Sequence, residues 1–384
     1  MLEETIYLDY ASTAPVADTV KRRVTEMLDV FGNPSSLHRL GMQAETLLTE
    51  ARQSVLTALG ASSGRLVFTG GGTESNNLAI FGSTKQLEGR GRHIITTAIE
   101  HPAVLEPFRM LEQSGWEVTY VVPDSDGDLA VDDFLRAIRP DTVFISAMHV
   151  NNETGAILPV QELVAALKDH PKIRLHVDGT QAFGKIPFRM RDIGVDLYTV
   201  SAHKIGGLKG TGALYIRDGV RLSPVIYGGG QELGLRSGTE NVIGAVAFGE
   251  AARNAVASCR DLGEAMTMQA RFIEGLGAIP GWTVHQPKHA SPYIVNASLH
   301  GLRGEVIVHA FESKGLYVSA GSACSTAHGQ NKRSHVLTAM GLSADEADAS
   351  VRFSWTTDTT DHHLESALAI VRDQTVWLQR MVGL

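Results

Sequence analysis

The chain has 384 residues, 43% apolar and 20% charged, values of an ordinary folded protein that exclude disorder, collagen and long coiled coil. Formal charge is −8, from 34 basic and 42 acidic residues, and no basic tract occurs, so neither nucleic acid nor an anionic membrane surface is an expected partner. No apolar run approaches the roughly 18 residues of a membrane span, the first residues are acidic, and Cys259 and Cys324 are the only cysteines, so the chain reads as cytoplasmic and without a disulfide framework.

Seven β-rich windows are predicted in chain order, at 66–69, 93–98, 117–122, 142–147, 174–178, 197–201 and 212–216, the earlier ones separated by stretches of helical spacing. Strand–helix–strand alternation implies parallel pairing through crossovers, and mostly apolar strands imply a sheet covered on both faces. Only ten residues, 202–211, separate the last two windows, too few for a helical crossover, so the final strand is expected to run antiparallel. An alanine-rich helical stretch from about 245 to 276 follows, and short strands at 293–299 and 316–319 come after it among Pro, Gly and His. The expected fold is α/β. A large domain, residues 14–256, carries a mixed, mostly parallel seven-stranded sheet flanked by helices, and residues 1–13 with 257–384 form a smaller α+β domain.

The 39 glycines are in excess and cluster at Gly70-Gly71-Gly72, Gly206-Gly207 and Gly228-Gly229-Gly230. The first cluster sits between a strand and a helix that Thr73 is expected to cap, which offers unpaired N–H groups and a positive helix end to a phosphate. It has neither the Walker nor the dinucleotide spacing, so a mononucleotide-sized phosphate fits better, and an ordinary strand-to-helix turn is the bland alternative. Asp178 and Lys204 each end an apolar strand, the edge at which open α/β sheets bind ligands. A lysine there is a candidate amine for Schiff-base chemistry, and an acid on the neighbouring strand could keep a pyridine nitrogen protonated. Cradle, acid and lysine together describe a pyridoxal phosphate site, with Ser201 and His203 as further phosphate donors; a structural ion pair is the alternative for Asp178 and Lys204. His101 is expected to end the strand 94–100, at the same edge, suited to ring stacking or proton transfer, although a capping histidine would look the same. Asn152 could reach a ring hydroxyl or close an Asx turn. Arg352, in a strand-like alternation, could clamp a carboxylate or form a surface salt bridge. Cys324 lies among small and polar residues with His328 and Lys332 nearby and reads as a reactive thiol, whereas Cys259, at helical spacing, reads as packing.

These residues resemble the cysteine desulfurases of the NifS/IscS kind, within the pyridoxal-phosphate-dependent fold type I aminotransferase class. The resemblance runs through Tyr7-Leu8-Asp9-Tyr10, Gly32-Asn33-Pro34, Thr73-Glu74-Ser75-Asn76-Asn77, Glu100-His101, Asn151-Asn152-Glu153, Val177-Asp178-Gly179-Thr180-Gln181, Ser201-Ala202-His203-Lys204, Arg236-Ser237-Gly238-Thr239, Ser322-Ala323-Cys324 and Arg352-Phe353-Ser354. It implies pyridoxal 5'-phosphate as cofactor, L-cysteine as substrate, a homodimer, and a sulfur-acceptor or iron–sulfur scaffold protein as partner, with no metal at the site. Lys204 would be the Schiff-base lysine, with Asp178 on the pyridine nitrogen, His101 on the ring, and Gln181 and Asn152 near its 3-hydroxyl. Gly72, Thr73, Ser201 and His203 would hold the phosphate, joined by Thr239 of the second subunit. Arg352, with Asn33 nearby, would bind the substrate carboxylate, and Cys324 would carry the persulfide. Leu233 stands where the family usually has arginine, Thr356-Thr357 replace a usual Gly-Arg, and Ser12 and Ala14 alter the N-terminal signature. A selenocysteine lyase or cysteine sulfinate desulfinase would share every cofactor residue, and a non-catalytic cofactor-bearing assembly partner is the alternative outside enzymes.

Overall fold

The structure, a computed structural model, describes residues 5–259, 262–321 and 333–383. Cys324 therefore lies outside the described residues. The strands in chain order are β1 (Ile6–Tyr7), β2 (Arg65–Thr69), β3 (His93–Thr97), β4 (Glu117–Val121), β5 (Thr142–Met148), β6 (Arg174–Asp178), β7 (Leu197–Ser201), β8 (Gly212–Ile216), β9 (Trp282–His285), β10 (Ile294–Leu299), β11 (Leu316–Tyr317), β12 (Ser319–Ala320) and β13 (Ser350–Ser354).

Strands β2 to β8 form one seven-stranded sheet in the order β2-β8-β7-β6-β5-β3-β4. Neighbouring residues point to opposite faces, as the two-residue period of a strand requires. Val67, Ile94, Phe144 and Leu197 enter a core under the helices Gly72–Leu87 and Pro102–Gln113, while Phe68, Ile95, Ile145 and Tyr198 enter the other core with Val55 and Phe248 of the helices Arg39–Ala58 and Val242–Ser258. Both faces are dry, which is why the windows read as nearly continuous apolar runs. Strand β8 is antiparallel to both β7 and β2, as its short connection demands, so β2 ends at the same edge as the parallel strands.

A separate antiparallel sheet, β12-β13-β10-β9, has its own core around Phe272, Trp282, Phe311, Phe353 and Trp355. The window at 316–319 proves to be two strands. β11 pairs with β1 and β12 with β13, and the chain passes between the two sheets at the buried Val318. The alanine-rich stretch is likewise two helices, Val242–Ser258 and Gly263–Gly277, because no proline marked the break in the sequence. Among the described residues no helix is long and apolar enough to cross a membrane.

Candidate active site

A cavity of about 280 Å³ opens at the carboxyl edge of the large sheet, lined by Gly72, Thr73, Asn76, His101, Asn152, Asp178, Gln181, Ser201, His203, Lys204 and Arg352, with Ala11 and Ser12 of the N-terminal segment. Its floor is set by the strand ends, since Asp178 and Ser201 are the last residues of β6 and β7. A larger crevice, about 1490 Å³, runs past Phe183, Pro187, Cys259 and Lys288; it too is lined by charged side chains, Asp124, Asp128, Glu162 and Arg189 among them, but holds neither the glycine turn nor Asp178 and Lys204.

The glycine turn after β2 is built by two glycines. Gly71 takes φ +148°, a conformation side chains avoid, and a Cβ on Gly212 would lie 2.5 Å from the Gly71 carbonyl carbon. Gly71 rather than Thr73 is therefore the cap of the helix Gly72–Leu87, and Thr73 sits in the first turn, where N–H groups lack helical partners. Asp178 is 5% exposed and held by two donors, Asn76 Nδ2 at 2.7 Å and the Thr180 N–H at 3.0 Å. Lys204, at the end of a short turn after β7, donates from Nζ to the carbonyls of Ala11 (2.6 Å) and Ser12 (2.8 Å).

His101 lies beyond the strand, where it caps the helix Pro102–Gln113, and its Nδ1 accepts the Ala103 N–H at 3.1 Å. His101 thus both caps that helix and lines the cavity. Burial, followed by the opposing influences of Asp178 and Lys204, leaves its pKa below the usual imidazole value, so with Nδ1 accepting, the ring proton resides on Nε2. Burial, with Lys204, Lys209 and Lys185 nearby, also lowers His203 to about 4, and its Nδ1 faces Thr13 Oγ1 at 3.1 Å. Beside the cavity, burial raises the Glu100 carboxyl to about 8 although Thr97 Oγ1 and the Met148 N–H donate to it, so it is protonated at neutral pH.

Arg352, 4% exposed, is no surface ion pair. Its Nη1 donates to the Asn152 carbonyl at 2.8 Å, and its Nη2 donates to Asp9 Oδ1 at 2.8 Å and Ser12 Oγ at 2.7 Å. Asn152 does not close the turn. Asn151 does, its Oδ1 accepting the N–H groups of Glu153 and Thr154. Two expected residues stay outside the cavity of this single chain. Asn33 is exposed with its Oδ1 on the Ser35 N–H, and Thr239 is exposed on the segment after Arg236, which is tied to the glycine turn by the Arg236 Nε–Glu74 Oε1 pair at 2.8 Å. Cys259 is buried and its thiol is pushed up to about 11 by that burial, consistent with packing. The sequence reading gave no site role to Asn76, Asp9, Ser12 or Lys185. Asn76 follows the glycine turn by one helical turn, a spacing that could have announced it; the others converge only through the tertiary fold.

The sequence pattern of the aminotransferase class-V family matches residues 6–366. The chain belongs to that family. Within the class-V family it is 41% identical over 374 residues to the cysteine desulfurase IscS of Dictyoglomus turgidum, covering 96% of this chain and 94% of that protein, and 40% identical over 375 residues to IscS of Mannheimia succiniciproducens, covering 96% and 92%. Among solved structures, a NifS-like protein superposes with a TM-score of 0.89 at 34% identity, over 97% of this chain and 100% of that one. A structure titled SspA in complex with cysteine gives 0.80 at 36% identity, over 93% and 100%. Class-V enzymes of this kind use pyridoxal 5'-phosphate, and the cavity fits it. A Cβ on Gly72 would lie 3.1 Å from Thr180 Oγ1 and 3.6 Å from Ser201 Cβ, so the glycine keeps this corner open, and the buried Ser201 Oγ has no partner among the described residues. A phosphate seated there would meet that hydroxyl and the helix N-terminus together.

Proposed function

We propose that the chain is a pyridoxal-phosphate-dependent cysteine desulfurase, which takes sulfur from L-cysteine as a persulfide on Cys324 and releases L-alanine. The observation that carries this reading is the convergence of the Lys204 amine, Asp178, His101 and Arg352 on one small cavity in a chain whose relatives are named cysteine desulfurases. Pyridoxal phosphate, when bound, supplies an electron-withdrawing ring that takes up charge developed on an attached amino acid.

The protein's own groups do the rest. Lys204 would hold the cofactor covalently and, once the substrate amine displaces it, serve as a base. Asp178, which accepts from Asn76 Nδ2 and the Thr180 N–H, would hold a proton on the pyridine nitrogen. Gly72, Thr73, Ser201 and His203 would bind the phosphate, Gln181 and Asn152 would face the 3-hydroxyl, and His101 would cover the ring and offer its Nε2 proton. Arg352, pinned by Asp9, Ser12 and the Asn152 carbonyl, has a buried Nε without a partner among the described residues, a donor suited to the substrate carboxylate. Cys324 thiolate then attacks the substrate sulfur. The S–S bond forms as the Cβ–S bond breaks, the electron pair goes to Cβ, protonation there yields alanine, and the persulfide passes to an acceptor such as an iron–sulfur scaffold protein.

The test is to load the purified protein with pyridoxal phosphate and supply L-cysteine. Alanine should accumulate in step with persulfide or sulfide, faster than with selenocysteine or cysteine sulfinate as substrate. Faster turnover of either alternative would move the assignment to a lyase for that substrate, and no alanine above background would leave the non-catalytic reading.

We further infer a homodimer, a cytoplasmic setting, and a division into residues 14–256 and a smaller domain of 1–13 with 257–384. Support for the dimer comes from apolar side chains that water surrounds in a single chain. Tyr227 is 67% and Leu233 60% exposed, near Val225 and Ile226, on the segment that carries Thr239. Thr239 of the second copy would complete the phosphate site. Thr239→Ala should therefore weaken cofactor binding by about tenfold, the worth of one hydrogen bond to a charged group, and dilution to monomer should do the same. Titration of apo-protein followed by cofactor fluorescence checks this, and parent-like affinity in either case overturns it.

A further inference from the structure

Lys185 is a lysine in the wrong place for a surface residue. It is 5% exposed, and among the described residues no carboxylate lies within ion-pair distance. Its neighbours in charge are two cations, Lys204 and Arg352, and burial reinforced by them lowers its amine to about 7. Yet Nζ makes one well-formed hydrogen bond, 2.9 Å to Gln181 Oε1. Burying an amine among cations is costly, and a methylene chain would fill the same space without that cost.

The far end of Gln181 shows what the amine does. Nε2 donates to the Ala11 carbonyl at 2.8 Å, the same oxygen that receives Lys204 Nζ at 2.6 Å. A carbonyl can only accept, so the amide nitrogen must face Ala11, and Oε1 must then face Lys185. The amide cannot turn over without opposing oxygen to oxygen at Ala11 and, while the Lys185 amine is protonated, N–H to N–H at the other end. Nε2 carries two hydrogens, one of which goes to Ala11, and Gln181 lines the cavity.

We propose that Lys185 is a positioning residue of the cofactor site, which locks the Gln181 amide so that its nitrogen, not its oxygen, is presented to the bound cofactor's 3-oxygen. This rests on the placement of Gln181 near that oxygen given above. The lock acts on the cofactor's electronic state. A donor at the 3-oxygen favours the form that bears negative charge there, so loss of the lock should raise the pH at which the bound cofactor's visible absorption changes.

The experiment is a pH titration of the visible spectrum of holoenzyme, without substrate, for the parent, Lys185→Met, Lys185→Arg, Gln181→Leu and the Lys185→Met/Gln181→Leu double variant. Methionine keeps the length and removes the donor; arginine keeps a donor. We expect Lys185→Met to raise the midpoint by about one pH unit, Lys185→Arg to stay nearer the parent, and the double variant to match Gln181→Leu alone, because the effect of Lys185 on the 3-oxygen passes through Gln181. A shifted midpoint in Gln181→Leu with none in Lys185→Met overturns the proposal while leaving Gln181 at the cofactor. No shift in either overturns both, and additive shifts overturn the lock. If Lys185→Met fails to fold, Lys185→Ala replaces it in the same comparison, and a parent-like midpoint there is equally fatal.

Discussion

Lys204→Ala should lose the covalently held chromophore and at least about four orders of magnitude in turnover, the scale of removing a nucleophile that also acts as base. The fold should survive. Lys204 leaves the sheet on a three-residue turn, and its amine donates to the backbone carbonyls of Ala11 and Ser12, so the variant loses about 1–3 kcal/mol where the Ser12 carbonyl is left without that donor. Ala11 keeps the Gln181 donor, and its own N–H still reaches Ser354 Oγ at 2.9 Å, which holds the N-terminal segment over the cavity. The sharp control is Lys185, a second amine beside the site, which is buried and does not line the cavity. After borohydride treatment and digestion, the parent's label should map to Lys204. Label at Lys185, in parent or variant, would show that the wrong lysine has been assigned.

How much of this was legible before the fold was known depends on what each signal rests on. The strands of the large sheet were legible because both faces are buried, so apolar runs such as 142–147 could be little else. The antiparallel last strand followed from ten connecting residues. Where two short strands share one apolar window, as at β11 and β12, the sequence has no mark for the switch of sheet, because Val318 is as apolar as its neighbours. Thr73 lost the cap to Gly71 because a backbone conformation open only to glycine outweighed a side-chain preference. In the site, Asp178 and Lys204 were legible as charges at the ends of buried strands. Arg352 was ambiguous, since its partners Asp9 and Ser12 stand more than 300 residues away and nothing local distinguishes a buried guanidinium from an exposed one. Lys185 was invisible for a related reason: its meaning lies in the lack of a counter-charge among the described residues, a property of its surroundings.

That burial also orders the protonation states on which the chemistry depends. Glu100 is protonated and His203 neutral at pH 7, both chiefly through desolvation, and His101 is lowered for the same first cause. The cavity therefore sets neutral imidazoles beside Lys204, Arg352 and Asp178. An anionic phosphate and a substrate carboxylate enter a site whose neutral imidazoles can donate without adding further charge.

Cys324→Ser separates the cofactor chemistry from sulfur transfer. A serine hydroxyl has nearly the volume of the thiol but is hardly ionised at neutral pH and far less polarisable, so it cannot take the substrate sulfur. The variant should bind pyridoxal phosphate like the parent and still change its visible spectrum on addition of L-cysteine, since Lys204, Asp178, Gln181 and Arg352 are intact. It should form no protein persulfide, and alanine release should fall by about four orders of magnitude or more. Cys259→Ser is the matched control. That thiol is buried and raised to about 11, so it is protonated and no nucleophile, and its replacement should leave turnover near normal. Alkylation of the persulfide followed by mass spectrometry places the sulfur directly. If Cys324→Ser instead consumed L-cysteine at close to the parent rate, sulfur would be leaving by β-elimination with Lys204 as base, and the persulfide step would have to be withdrawn.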